Sequence, residues 1–151
     1  MEEDSMIREL LPRYVVDASI VVKWYSKSKE DDLGKADSLL DGHIQRHHLL
    51  LAPSLVFYEL ANALRFNPNF DEKDVLEALS VFNDLGIEII NFEKIYSQAI
   101  SLAFNKDLTV YDAVYVAISR LYKIPFVTAD FQLHQKLEDL LLVIPLSQWE
   151  L

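Results

Sequence analysis

Five short, continuously apolar runs separated by helix-patterned stretches predict an α/β domain built on a parallel sheet. Continuous rather than alternating apolarity marks strands buried on both faces, the state of a sheet covered by helices on either side. The order along the chain adds a third observation. Strand-like and helix-like segments alternate from residue 14 onward, with no repeat, linker or low-complexity segment between them.

The runs are Tyr14–Val16, Leu49–Ala52, Ile87–Ile90, Phe126–Thr128 and Leu142–Ile144. Pro125 precedes the fourth, a position a strand tolerates because the missing N–H falls at its first residue. Between the first two, Asp31–His48 is a mixed helical stretch with Gly34 and Gly42 as weak points. Ser54–Phe66 is a clearer helix after Pro53, and Glu72–Leu85 opens at Asp71 as N-cap and stops at Gly86. Glu93–Asn105, Val110–Tyr122 and Phe131–Leu140 complete the helical set, while Asn67–Asp71 is a loop inside the domain.

At 151 residues, with 51% hydrophobic and 25% charged residues, the chain is expected to form one domain with a core of its own. It has no cysteine, which excludes disulfides, thiolate zinc sites and cysteine nucleophiles. The acidic N-terminus MEEDSMIREL does not read as a secretory signal, and no apolar run approaches the ~18 residues of a membrane helix. A cytoplasmic protein with no membrane partner is the expectation. Met6 offers an alternative start, since the first strand begins only at Tyr14. A net charge of −10 argues against a broadly basic nucleic-acid surface, so any phosphate contact must come from local cations.

In an open parallel sheet, ligands bind beyond the carboxyl ends of the strands. Asp17 follows the first run, Asp130 follows the fourth in FVTAD, and Asp112 lies in the first turn of TVYDAVYVAIS. Each has an ordinary explanation. Asp17 and Asp130 can cap the helices behind them, and Asp112 can close a box with Thr109. Glu59 is harder to explain so. In LVFYELANALR it is the only charge between Pro53 and Arg65, on a stretch apolar nearly all round. An unpaired buried carboxylate costs several kcal/mol, and Arg65 at i+6 points elsewhere on the helix. Four converging carboxylates would repel unless a divalent cation stood among them, and hard oxygen ligands favour Mg2+ or Mn2+. Such a site suits phosphoryl chemistry.

The motifs D-A-S after the first strand, E-L-A-N-A-L-R, Y-D-A-V-Y-V-A-I-S and V-T-A-D, in that order, resemble the PIN-domain family, and within it the VapC-type toxins of prokaryotic toxin–antitoxin pairs. The resemblance covers about residues 14–146, leaving 1–13 as a leader longer than is usual there. It implies strand order 3-2-1-4-5 with helices on both faces, which sets strands one and four side by side. It implies that Asp17, Glu59, Asp112 and Asp130 form the acidic metal site of a Mg2+-dependent endoribonuclease, Mn2+ being the other candidate, with Ser19 and Thr128 as supporting hydroxyls. RNA as substrate, a cognate antitoxin whose tail covers the site, and a homodimer follow from the same likeness.

Lys23, Arg65, Lys106 and Arg120 are candidate phosphate contacts, against the commoner role of solvated surface charge. His43, His47 and His48 invite a metal reading because the first two are one turn apart, but without a third ligand in reach a polar helix end is the better reading. His134, at i+4 from Asp130, can face the site from the next turn. Trp24, Phe57, Tyr58, Tyr115 and Trp149 are assigned to core or dimer packing. A catalytically silent PIN-like binding module is the alternative. A phospho-acceptor receiver fares worse, because INFEK and IPLSQW lack the aspartate and lysine it needs.

Overall fold

A computed structural model describes residues 2–27 and 31–151. Five parallel strands, β1 (Arg13–Val16), β2 (Leu49–Pro53), β3 (Glu88–Ile90), β4 (Phe126–Thr128) and β5 (Val143–Pro145), form one sheet. Their order is β3-β2-β1-β4-β5, as expected. The register pairs Val15 with Phe126 and Val16 with Val127, so Asp17 and Thr128 emerge side by side at the carboxyl edge.

Eight α-helices connect and cover the strands among the described residues: α1 (Glu2–Leu10), α2 (Ala18–Tyr25), α3 (Leu33–Ile44), α4 (Leu55–Arg65), α5 (Glu72–Asp84), α6 (Tyr96–Lys106), α7 (Val110–Tyr122) and α8 (Phe131–Lys136). The period of two along the strands decides which face each residue serves. Val15, Leu51, Phe126 and Val143 pack with α6, α7 and α8. Val16, Leu50, Ala52 and Val127 pack with α2 to α5 and with Trp149. Both faces are buried, which is why the runs read as continuously apolar.

Several boundaries differ from the sequence expectation. The leader contains α1, an acidic segment whose helix the apolar pattern did not signal. Glu93–Asn105 is broken: a 3-10 turn at Phe92–Lys94 precedes α6. The last helix stops at Lys136 rather than Leu140, because Leu137 bonds back to His134 only three residues away. Asp71 caps α5 in a full box with Asp74, and Gly86 ends it at φ +68, a conformation that costs glycine little. Gly42 is no weak point. A Cβ there would stand 2.1 Å from the His48 ring, so a bare backbone is what lets that ring in.

His43 lies in the last turn of α3, at the helix end as expected, but it and His48 are buried rather than solvated. His43 spans α3, β2 and the turn after α5: Nε2 donates to the Leu85 carbonyl (2.9 Å) and Nδ1 accepts from Leu50 N–H (3.1 Å). His48 Nε2 donates to the Leu39 carbonyl (2.7 Å), and its ring meets Tyr14 and Trp149 edge-on. No helix among the described residues is long and apolar enough to cross a membrane.

Candidate active site

The carboxyl edge of β1 and β4 carries the acids. Asp17 is the N-cap of α2 by position, yet its side chain makes no capping bond. Its oxygens instead accept hydrogen bonds from Ser19 Oγ and from Thr128 Oγ1 (2.5 Å to the latter). Each hydroxyl in turn accepts a backbone N–H from the turn after β4: Ser19 Oγ from Ala129 (3.0 Å) and Thr128 Oγ1 from Asp130 (3.0 Å). The carboxylate is thereby tied to both central strands. Burial pushes the Asp17 carboxyl up to about 6; the two hydroxyls pull it down and Asp130 pushes it further up.

Asp130 does cap, accepting from Leu133 N–H at 3.0 Å at the start of α8. Asp112 follows the expected cap in half: Thr109 Oγ1 accepts its N–H at 3.1 Å. Glu59 lies half-buried on α4, and its partner is not a cation. Tyr115 OH donates to Glu59 Oε1 at 2.5 Å. Arg65 lies instead over the Phe66 ring, 5.1 Å from its centroid. Burial raises the Glu59 carboxyl, against the Tyr115 hydroxyl and with a push from Asp112. Burial also raises Asp112, with Asp130 adding to it and the Thr109 hydroxyl and Lys136 offsetting part.

These couplings link the four acids in one series: Asp17 to Asp130, Asp130 to Asp112, Asp112 to Glu59. Among the described residues, no group of three or more His, Asp or Glu side chains is placed so as to hold a metal ion. The four acids of the metal site that the sequence resemblance implies are thus coupled neighbours at one edge of the sheet, and Asp17, Glu59 and Asp130 each also accept hydrogen bonds from protein donors. In kind, the donor set fits a hard divalent cation, being carboxylate and hydroxyl oxygen alone.

Tyr115 was assigned to packing alone, and it does pack: its ring stacks on Phe126 with centroids 5.7 Å apart. Its hydroxyl is the residue's second role. Burial and the Glu59 charge raise that hydroxyl far above its usual range, so it stays a proton donor to Glu59.

Two clefts flank the acids. One, of about 450 Å³, lies between α2 and α4, with Ser19, Lys23, Glu59, Asn62 and Ala63 on its walls. The other, of about 270 Å³, is lined by Lys23, Asp31, Asp32, Asp130, Phe131 and Ser147. Lys23 is buried and borders both, so it is not a solvated surface charge. Arg65 remains on the surface, while Lys106, ion-paired with Asp139, shares a separate polar cleft with Arg120. The four candidate phosphate contacts are thus not one set. His134 gives its backbone N–H to the Asp130 carbonyl at 3.0 Å.

The PIN domain family model matches residues 14–138, and the chain belongs to that family. Among solved structures it is similar to PAE2754 from Pyrobaculum aerophilum (20% identity, 90% of this chain and 85% of that chain, TM-score 0.63). It is similar also to a toxin–antitoxin complex from Klebsiella pneumoniae (15% identity, 91% and 99%, TM-score 0.64). A third likeness is to VapC20 from Mycobacterium tuberculosis, described as a sarcin-ricin loop cleaving toxin (15% identity, 78% and 88%, TM-score 0.61). No curated protein sequence gives a significant match.

Proposed function

We propose that this protein is a metal-dependent endoribonuclease that hydrolyses RNA phosphodiester bonds, acting in the cytoplasm as the toxin of a toxin–antitoxin pair. The observation that carries this reading is the coupled acid series at the β1/β4 edge of a PIN domain. Likeness to the Klebsiella complex and to VapC20 supports an antitoxin partner and an RNA substrate. Exposed Tyr58, Phe92, Tyr96 and Tyr111 give an apolar surface that a homodimer would cover.

Asp17, Glu59, Asp112 and Asp130 would hold Mg2+ or Mn2+, which when bound supplies positive charge to the phosphate and lowers the pKa of water. The chain's own contribution is positional. Ser19 and Thr128 fix the Asp17 carboxylate, and Tyr115 fixes Glu59. Burial raises Asp17 in the metal-free protein, so a cation competes with a proton for the same oxygens.

Calorimetric titration of Mn2+ into wild type and Asp17→Asn, beside an RNA cleavage assay, tests the reading. Binding and cleavage in wild type, both lost in the variant, are expected. One rival, a silent PIN-like binding module, draws on the finding that no three acids or histidines among the described residues are placed to hold a metal ion, and it predicts that neither protein binds metal.

A further inference from the structure

The two clefts beside the acids differ in charge. The Asp130-side cleft carries Asp31, Asp32 and Asp130 against Lys23. The α2/α4 cleft carries Glu59 alone against the same lysine, with Asn62 and Ser19 as neutral polar groups. Helical spacing builds its walls. Ala18, Ser19, Val22 and Lys23 face in from α2, and Glu59, Asn62 and Ala63 from α4. Past the last turn of α2, Asn67 Nδ2 donates to Ser26 Oγ at 2.9 Å, tying the chain after α4 to the end of α2. The cleft is therefore braced, and its volume lies in the range of small-ligand sites.

Resting on the ribonuclease reading, we propose that the α2/α4 cleft holds one nucleotide of a single-stranded RNA beside the scissile phosphate, with Lys23 at its phosphate and Asn62 at its base edge. Charge selects this side. A polyanion entering the other cleft meets Asp31 and Asp32, which the proposed cation does not neutralise and which repel it at short range. Lys23 has an interaction of its own, so a phosphate adds to or exchanges with an existing partner. The residue is largely buried, so less side-chain entropy is lost on contact than at an exposed lysine. Asn62, exposed on α4, offers both a donor and an acceptor, which suits the edge of an unpaired base.

The test is fluorescence anisotropy with a short labelled single-stranded RNA of mixed sequence, in Ca2+ instead of Mg2+, over a salt series. The proteins are wild type, Lys23→Gln, Ala63→Glu and Ser147→Glu. Ala63 lines only the proposed cleft and Ser147 only the other, and both are exposed. Lys23→Gln is expected to weaken binding about tenfold at low salt and to flatten the log–log salt slope by about 0.7, the value for one phosphate contact on a single strand. Ala63→Glu should weaken binding similarly and Ser147→Glu should leave it unchanged. Equal losses in Ala63→Glu and Ser147→Glu, or none in Ala63→Glu, would overturn the assignment even if Lys23→Gln failed to fold. Wild type that binds no RNA would sink the ribonuclease reading with it, whereas wild-type binding untouched by the cleft variants sinks this inference alone.

Discussion

The two edges of the sheet both bury titratable side chains, and they treat them differently. At the amino edge, His43 and His48 are each answered by backbone groups, and the imidazole of His43 is satisfied at both nitrogens. At the carboxyl edge, Asp17 is answered by hydroxyls but also faces Asp130, and Asp130 and Glu59 both face Asp112. His43 also feels the like charges of His48 and Arg46, but less than burial, so what sets the carboxyl edge apart is three acids raised together. A buried group set against others of its own sign costs stability, and such sites are where binding is to be sought.

Burial disfavours the charged form of both His43 and Asp17, and the pH slopes are opposite because histidine charges by gaining a proton and aspartate by losing one. Burial lowers His43, so its contribution is present above the unfolded value near 6.5 and is lost as pH falls through the lower folded value. Asp17 is raised from 3.8 to about 6, so the folded state holds its proton more tightly. Its contribution is present below 3.8 and is lost as pH rises through about 6.

The largest expected effect follows from that. In chelator, Asp17→Asn should be more stable than wild type above pH ~6, by on the order of 3 kcal/mol, with the gap closing toward pH 4. Denaturant melts across that window check it, and a pH-independent gap would break the comparison. The same variant should lose at least roughly a hundredfold in RNA hydrolysis, since even the partners of metal ligands are worth tenfold to a hundredfold. Next comes the other edge. Gly42→Ala drives a methyl into the His48 ring and should cost about 2 kcal/mol in thermal melts while leaving any RNA cleavage intact. Tyr115→Phe removes the donor to Glu59 and is expected to slow cleavage about tenfold, with a stability loss of about 1 kcal/mol. Smallest is Arg65→Ala, which sits exposed over Phe66. A change beyond about 0.5 kcal/mol in stability would show that it does more than cover that ring, and a loss of RNA affinity would mark it as a phosphate contact.

Much of this was legible in the chain. The five strands were readable because a sheet buried on both faces needs continuous apolar residues, and the acids because they interrupt that pattern where the chain leaves the sheet. Helix α1 was not, since a short acidic segment with few apolar residues does not read as an element of the core. The role of Tyr115 was hidden because its ring and its hydroxyl serve different neighbours, and an apolar context reports only the ring. Lys23 and His48 were read as surface groups because composition says where such residues usually lie, whereas burial depends on which helix packs above them.

What the sequence alone determined is the alternation of strand and helix and the placement of Asp17, Asp112 and Asp130 at the ends of elements. These are local consequences of side-chain period and of where a carboxylate can sit without ending the core. What only the tertiary structure decided is the partner of each group. Asp17 meets Thr128 across 111 residues of sequence, and Glu59 meets Tyr115 across 56, because parallel register and helix packing bring them together. Hydrogen bonds and like-charge repulsion act over a few ångströms of space, and no spacing along the chain contains that distance.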